Sequence, residues 1–139
     1  GMKTLHLRMK KHNENAMDLA LFLASHKKVV KVNYPGLKTH KDHELASVQM
    51  SGYGALLSFE VKGKLKSAIQ VMNRLKIASI APSLGETDTM VLHPASSSHL
   101  RIEKSVREKY GITDTLIRVS VGIENSQDII DDFAQALQF

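Results

Sequence analysis

The chain has 139 residues, of which 42% are hydrophobic and 24% charged, values typical of one globular domain. The composition excludes a disordered chain, no apolar run approaches the roughly 20 residues of a membrane-spanning helix, and the lack of cysteine excludes disulfides and thiolate chemistry. Residues 1–8 contain no apolar signal region, and Gly1 before Met2 resembles a tag remnant. We therefore expect a single cytoplasmic domain over residues 1–139.

The net charge of +5 comes from the N-terminal part of the chain. Residues 1–43 hold nine Lys and Arg but only three Asp and Glu, whereas the remainder is close to neutral. A nucleic-acid interface would combine such a basic segment with exposed aromatic side chains or a recognition helix, and this segment contains only Phe22 and Tyr34. A solvated basic face is therefore favoured over a nucleic-acid partner, and no membrane partner is expected.

Hydrophobic spacing, β-branched runs and Gly or Pro breaks divide the chain into helices and strands. The first helix shows its spacing clearly, since apolar residues from Leu5 to Leu23 recur at helical intervals without an intervening Gly or Pro. In chain order the predicted elements are a helix over 4–26, a strand over 29–32, a helix over 43–50, a strand over 55–61, a helix over 64–76, strands over 77–81 and 90–93, a helix over 102–110, a strand over 116–121 and a last helix capped by Asn125.

These elements predict an α/β protein of the α+β type. About five short strands are mixed with four or five helices, without a repeat, linker or low-complexity tract. Several links, such as 82–89, are too short for the crossover helix that joins neighbouring parallel strands. We therefore expect a mostly antiparallel or mixed sheet with helices on one face.

His40 and His43 lie three residues apart, a spacing that could hold a metal ion on one helical turn. A third ligand is not evident, although His93 and His99 follow later in the chain. An exposed pair of neutral imidazoles is the favoured interpretation, and no metal is expected. The Ser-rich stretch before His99 is interpreted as a polar loop rather than a nucleophilic site.

Arg118 is the charged residue whose position most suggests a function. It lies in the strand predicted over 116–121, between Ile117 and Val119, where an unpaired charge is costly to bury. Its guanidinium could face solvent, pair with an acidic side chain of a neighbouring element, or donate to a carboxylate or phosphate ligand. The pattern alone favours the first two possibilities, and it gives Ser83 no special standing.

Several ungapped blocks follow one another along nearly the whole chain. They are V-N-Y-P-G-L-K-T-H at 32–40, Q-M-S-G-Y-G at 49–54, L-S-F-E at 57–60, A-P-S-L-G at 81–85, H-P-A-S-S-S-H at 93–99 and L-I-R-V-S-V-G-I-E at 116–124. In this order they resemble the Cys/Met-metabolism family of pyridoxal-phosphate (PLP) enzymes. That family includes cystathionine γ-synthase, cystathionine β- and γ-lyases, methionine γ-lyase and O-acetylhomoserine sulfhydrylase.

The resemblance covers only the C-terminal domain of that family, so it implies the small C-terminal domain of a fold-type I PLP-dependent transferase. It implies that Arg118 binds the α-carboxylate of a sulfur amino-acid substrate and that the loop around Ser83 lies beside this carboxylate. It also implies PLP as the cofactor of the full-length enzyme. The family holds PLP on a lysine in an S-x-T-K segment of the N-terminal domain, and this sequence contains no such segment.

We therefore expect no PLP on this chain alone, no catalytic residue within it, and trans-sulfuration activity only with an N-terminal cofactor domain in the same or a separate chain. A homo-oligomer is also expected, because Leu5, Leu7 and Met9 of the first helix would otherwise meet water. The alternative is a free-standing, non-catalytic remnant that binds a partner or a small carboxylate. The reading frame immediately upstream would discriminate between these two hypotheses.

Overall fold

The computed structural model describes residues 1–139, and the predicted elements are confirmed in kind and order. The helices are α1 (Leu5–Ser25), α2 (His43–Gln49), α3 (Leu65–Arg74), α4 (Lys104–Lys109) and α5 (Ser126–Ala136). The strands are β1 (Val29–Asn33), β2 (Leu56–Val61), β3 (Ser79–Ile80), β4 (Met90–Leu92) and β5 (Leu116–Ser120). Short 3-10 turns precede α1 and follow β4. None of the helices combines the length and apolar character needed to cross a membrane.

α1 packs against the sheet through a continuous buried stripe. Ala16, Leu19, Ala20 and Leu23 recur at helical spacing and are fully buried, whereas Leu21 lies on the outer face of the helix. The helix ends where His26 adopts an extended conformation, which lets the chain turn back into β1. The stripe therefore fixes α1 over the sheet.

The five strands form one mixed sheet in the order β1-β2-β5-β4-β3. Neighbouring strands are antiparallel except for β3 and β4, which are parallel. β5 lies at the centre of the sheet, with Arg118 opposite Ser58 of β2 and Leu92 of β4. The predicted mostly antiparallel or mixed sheet is confirmed.

The hydrophobic core lies between the sheet and three helices, α1, α3 and α5. Phe59 of β2 and its cross-strand neighbour Ile117 of β5 are both fully buried there. Phe133 of α5 packs edge-on against Phe59 with ring centroids 6.0 Å apart. Because side chains alternate along a strand, Arg118 and Ser58 belong to the opposite face of the sheet.

β3 is shorter than predicted, since it comprises Ser79–Ile80 rather than 77–81. The amides of residues 76–78 donate to the carboxylate of Asp132 on α5 instead of to a neighbouring strand. A contact between distant parts of the chain therefore replaces the strand pairing that the local pattern indicated.

Candidate functional site

β5 holds Arg118 on the face of the sheet opposite the core helices. Its neighbours Ile117 and Val119 are fully buried and anchor the strand from the other side. β2 and β4 flank β5, so the backbone of Arg118 is bonded into the sheet on both edges. A functional group carried by such a strand has a fixed position.

The guanidinium of Arg118 has an incomplete set of hydrogen-bond partners. Its Nη2 donates to the backbone carbonyl of Ser83 at 3.0 Å, whereas its Nε is buried and has no partner. No acidic side chain of the chain forms an ion pair with it. The structure thus shows no internal counter-charge for this residue, and its free donors suit an anionic ligand.

Ser83 contacts Arg118 through its main-chain carbonyl rather than through its hydroxyl. Ser83 lies between β3 and β4 in the segment 81–89, called the Ser83 loop below, and its side chain is exposed. Its carbonyl oxygen accepts the hydrogen bond from Arg118. The two residues singled out by the resemblance, 35 positions apart, are therefore in direct contact.

Sequence reasoning missed the residues that hold the Ser83 loop. The hydroxyl of Ser120 accepts a hydrogen bond from the amide of Gly85 at 3.0 Å, and the carboxylate of Glu124 accepts one from the amide of Thr89 at 2.5 Å. Ser120 and Glu124 belong to the same sequence block as Arg118, which was the one available signal. Their partners lie 35 positions earlier, so no local spacing could reveal the contacts.

The two histidines that suggested a metal site each bond to a different part of the backbone. His43 donates from Nδ1 to the carbonyl of Pro35 at 2.8 Å and stacks on Tyr53. His40 accepts a hydrogen bond from the amide of Asp42 and lines a cavity of about 550 Å³ beside β1. No group of three metal-ligating side chains occurs in the chain. The chain therefore offers no third ligand beside these two histidines.

Another charged cluster, around Arg107, differs from Arg118 in having its charge compensated. Arg107 is buried, and it donates to the carboxylate of Asp114 and to the carbonyl of Ile112. Hydrogen bonds from Lys104 and Arg107 hold the pKa of Asp114 below its ordinary value. This cluster therefore stabilises the connection from α4 to β5 and leaves no donor in need of a ligand.

A model of the family described as Cys/Met metabolism PLP-dependent enzyme matches residues 1–138. L-methionine gamma-lyase of Fusobacterium nucleatum subsp. polymorphum is 49% identical over 138 residues, which cover 99% of this chain and 35% of that protein. The chain belongs to the Cys/Met-metabolism family of PLP-dependent enzymes.

Two further family members show the same coverage. Cystathionine gamma-lyase of Sus scrofa is 49% identical over 99% of this chain and 34% of its own length. Homocysteine synthase of Schizosaccharomyces pombe is 47% identical over 99% of this chain and 32% of its own length. The chain thus spans about a third of the length of the curated family members it matches.

PLP, the cofactor of this family, needs more groups than this chain supplies around Arg118. Its attachment requires a lysine amine held in a site shielded from water, and every lysine of this chain is exposed or half-buried. None of these lysines bonds to Arg118 or pairs with it across the sheet. The residues present do not fit a complete PLP site, and what they offer is one guanidinium with a buried Nε that lacks a partner.

Proposed function

We propose that this chain is the C-terminal, substrate-carboxylate-binding portion of a PLP-dependent trans-sulfuration enzyme, a lyase or transferase that acts on a sulfur amino acid. In this proposal Arg118 binds the α-carboxylate of the substrate, and Ser83 with its immediate neighbours in the chain lies beside that carboxylate. The observation that carries the proposal is the guanidinium of Arg118, which has a buried, unpartnered Nε and forms no ion pair with an acidic side chain.

The chemistry of a guanidinium suits this role. Its planar fork can donate two parallel hydrogen bonds to one carboxylate, so it fixes the direction of the ligand as well as neutralising its charge. It stays protonated at any working pH and therefore binds and orients rather than transferring protons. Since Arg118 is held by a central strand, the bound carboxylate has a defined place relative to the sheet.

The rest of a family enzyme is the partner that this proposal requires. The chain spans about a third of its relatives, and its residues do not complete a PLP site. An N-terminal cofactor domain, in the same or a separate chain, would supply the attachment of PLP. We expect no turnover from the 139 residues alone. Self-association through the exposed start of α1 is part of the same proposal, and the cytoplasmic location stays a prediction.

The proposal is tested in a hybrid enzyme in which this chain replaces the matching segment of the Fusobacterium L-methionine gamma-lyase. Arg118→Ala should raise KM for methionine and lower kcat/KM about 10- to 100-fold, because a charge-assisted two-pronged contact contributes roughly 1.5–3 kcal/mol. Arg118→Lys should restore little, since an ammonium does not reproduce the planar fork. Ser83→Ala should have a smaller effect, because its exposed hydroxyl contributes at most one neutral hydrogen bond.

Thermal unfolding of each variant is the control for structural damage. Arg118 has no ion pair to lose and only one hydrogen bond, to the exposed Ser83, so Arg118→Ala should lower the Tm of the hybrid enzyme only slightly. A folded Arg118→Ala variant with unchanged kcat/KM would contradict the proposal. A variant that fails to fold would identify Arg118 as a structural residue and would contradict it equally.

A further inference from the structure

The Ser83 loop is bonded to the segment that follows Arg118 in the chain. The amide of Gly85 donates to the hydroxyl of Ser120 at 3.0 Å. The amide of Ile123 donates to the carbonyl of Thr87 at 2.8 Å. One contact lies at the middle of the loop and the other lies two residues nearer its end, so the loop is tied to residues 120–124 at more than one point.

Glu124 makes the strongest of these attachments. Its Oε1 accepts from the amide of Thr89 at 2.5 Å, and its Oε2 accepts from the Thr89 hydroxyl at 2.9 Å. The amide of Gly122 donates to the same hydroxyl at 2.9 Å. Thr89 is fully buried, so a carboxylate that accepts two hydrogen bonds from it holds the end of the loop in one place.

Gly122 allows the two segments to approach each other this closely. A Cβ added at this position would overlap the carbonyl oxygen of Thr87 and would lie 2.6 Å from the amide nitrogen of Thr89. Both are main-chain atoms, so they could not move aside without displacing the loop. Gly122 is therefore required by close packing of backbone against backbone.

We propose that residues 120–124 position the Ser83 loop and, through the Ser83 carbonyl, the guanidinium of Arg118. Glu124 is the principal positioning residue, because it accepts two hydrogen bonds from Thr89 at the end of the loop. The bond from Nη2 to Ser83 fixes the rotation of the guanidinium plane and so the direction in which its free donors point. This inference rests on the proposed function, since it assigns a purpose to the orientation of Arg118.

The test compares Glu124→Ala with Glu124→Gln and Glu86→Ala in the hybrid enzyme. Glu124→Ala should raise KM for methionine about tenfold with kcat within about twofold, because misoriented donors weaken binding of the carboxylate. Glu124→Gln keeps an acceptor for the Thr89 amide and should restore most of the affinity. Glu86 is exposed in the same loop and makes no hydrogen bond, so its substitution is the matched control and should leave KM unchanged.

Amide hydrogen exchange in this chain supplies a readout that is independent of activity. Glu124→Ala should speed exchange at the Thr89 amide and, to a smaller extent, at the Gly85 amide, whereas Glu86→Ala should not. Gly122→Ala should have the same effect as Glu124→Ala, since its Cβ displaces the loop.

The outcomes separate this inference from the proposed function. If Arg118→Ala raises KM but Glu124→Ala leaves both KM and exchange unchanged, the positioning role is wrong and the proposed function stands. If Glu124→Ala speeds exchange without raising KM, the attachment is structural only and the positioning role is again overturned. If Arg118→Ala itself leaves KM unchanged, the proposed function fails first, and the positioning role fails with it.

Discussion

Asp132 on α5 is a buried carboxylate that organises the chain leading into β3. Its two oxygens accept hydrogen bonds from the amides of Lys76, Ile77 and Ala78 at 2.8 to 3.0 Å. Burial alone would raise its pKa, but these amides and the Gln135 side chain outweigh burial and lower the pKa below its ordinary value. The ionised carboxylate is therefore the form that stabilises the fold.

The pH dependence of stability should report this carboxylate. A lowered folded-state pKa means that the stabilisation is present above the unfolded pKa of about 3.9 and is lost as the pH falls through the folded value. Asp132→Asn should cost about 1.5–3 kcal/mol at pH 7, and the difference from the unsubstituted chain should shrink below about pH 4. Urea unfolding of both proteins at pH 7 and pH 3 measures this difference in unfolding free energy. Asp131→Asn, on the exposed side of α5, is the control, and a difference independent of pH would contradict the assignment.

Single residues differ in how far the sequence predicts them. Arg118 could be singled out because a charge inside a short apolar strand is unusual, and the family resemblance then gave it a role. The contact between Thr89 and Glu124 could not be predicted, since it joins residues 35 positions apart and depends on the path of the loop between β3 and β4. Ordinary polar residues acquire such positioning roles only through the tertiary structure.

Among the elements, α1 carries the clearest division between a buried and an exposed face. Leu19 is fully buried against the core, whereas Leu21, two positions later on the same helix, is 56% exposed. Leu19→Ala should cost about 2–5 kcal/mol of unfolding free energy because it leaves a cavity, and Leu21→Ala should cost less than about 0.5 kcal/mol. Denaturant unfolding of the two variants makes the comparison. Equal losses would show that α1 does not dock through this stripe.

The two elements α1 and β3 show why prediction succeeds for one and falls short for the other. The pattern of α1 repeats over 21 residues, so local periodicity alone specifies it. The apolar run at 77–81 resembles a strand, but Asp132 removes the amides of residues 76–78 from strand pairing. A local sequence pattern contains no information about a carboxylate more than fifty positions away.

At the scale of the whole molecule, the start of α1 leaves apolar side chains in water. Leu5 is 44% and Leu7 is 61% exposed, and both lie at the same end of the helix. We expect the 139-residue chain to self-associate through this end, since burial of exposed apolar side chains favours dimers. Sedimentation velocity over a range of concentrations measures the degree of self-association. The double variant Leu5→Ser, Leu7→Ser should shift the chain to monomer, and Leu21→Ser should not.

A monomer at every concentration would contradict the self-association. If the unsubstituted chain and the double variant self-associate to the same extent, the exposed leucines do not belong to the interface. Because the matched relatives are about three times as long, the remaining two-thirds of such an enzyme could instead cover this end of α1. The hybrid enzyme should then show Leu5 and Leu7 protected from solvent in a hydrogen-exchange comparison with the chain alone.

The central claim is that Arg118 recognises a carboxylate, and ligand affinity in the hybrid enzyme tests it most directly. Norleucine and pentylamine differ only by the α-carboxylate, so their inhibition constants isolate that group. Arg118→Ala should weaken norleucine about 10- to 100-fold and leave pentylamine within about twofold, because the lost contact is charge-assisted and specific to the carboxylate. An equal change for both ligands, or none for norleucine, would contradict the assignment of Arg118.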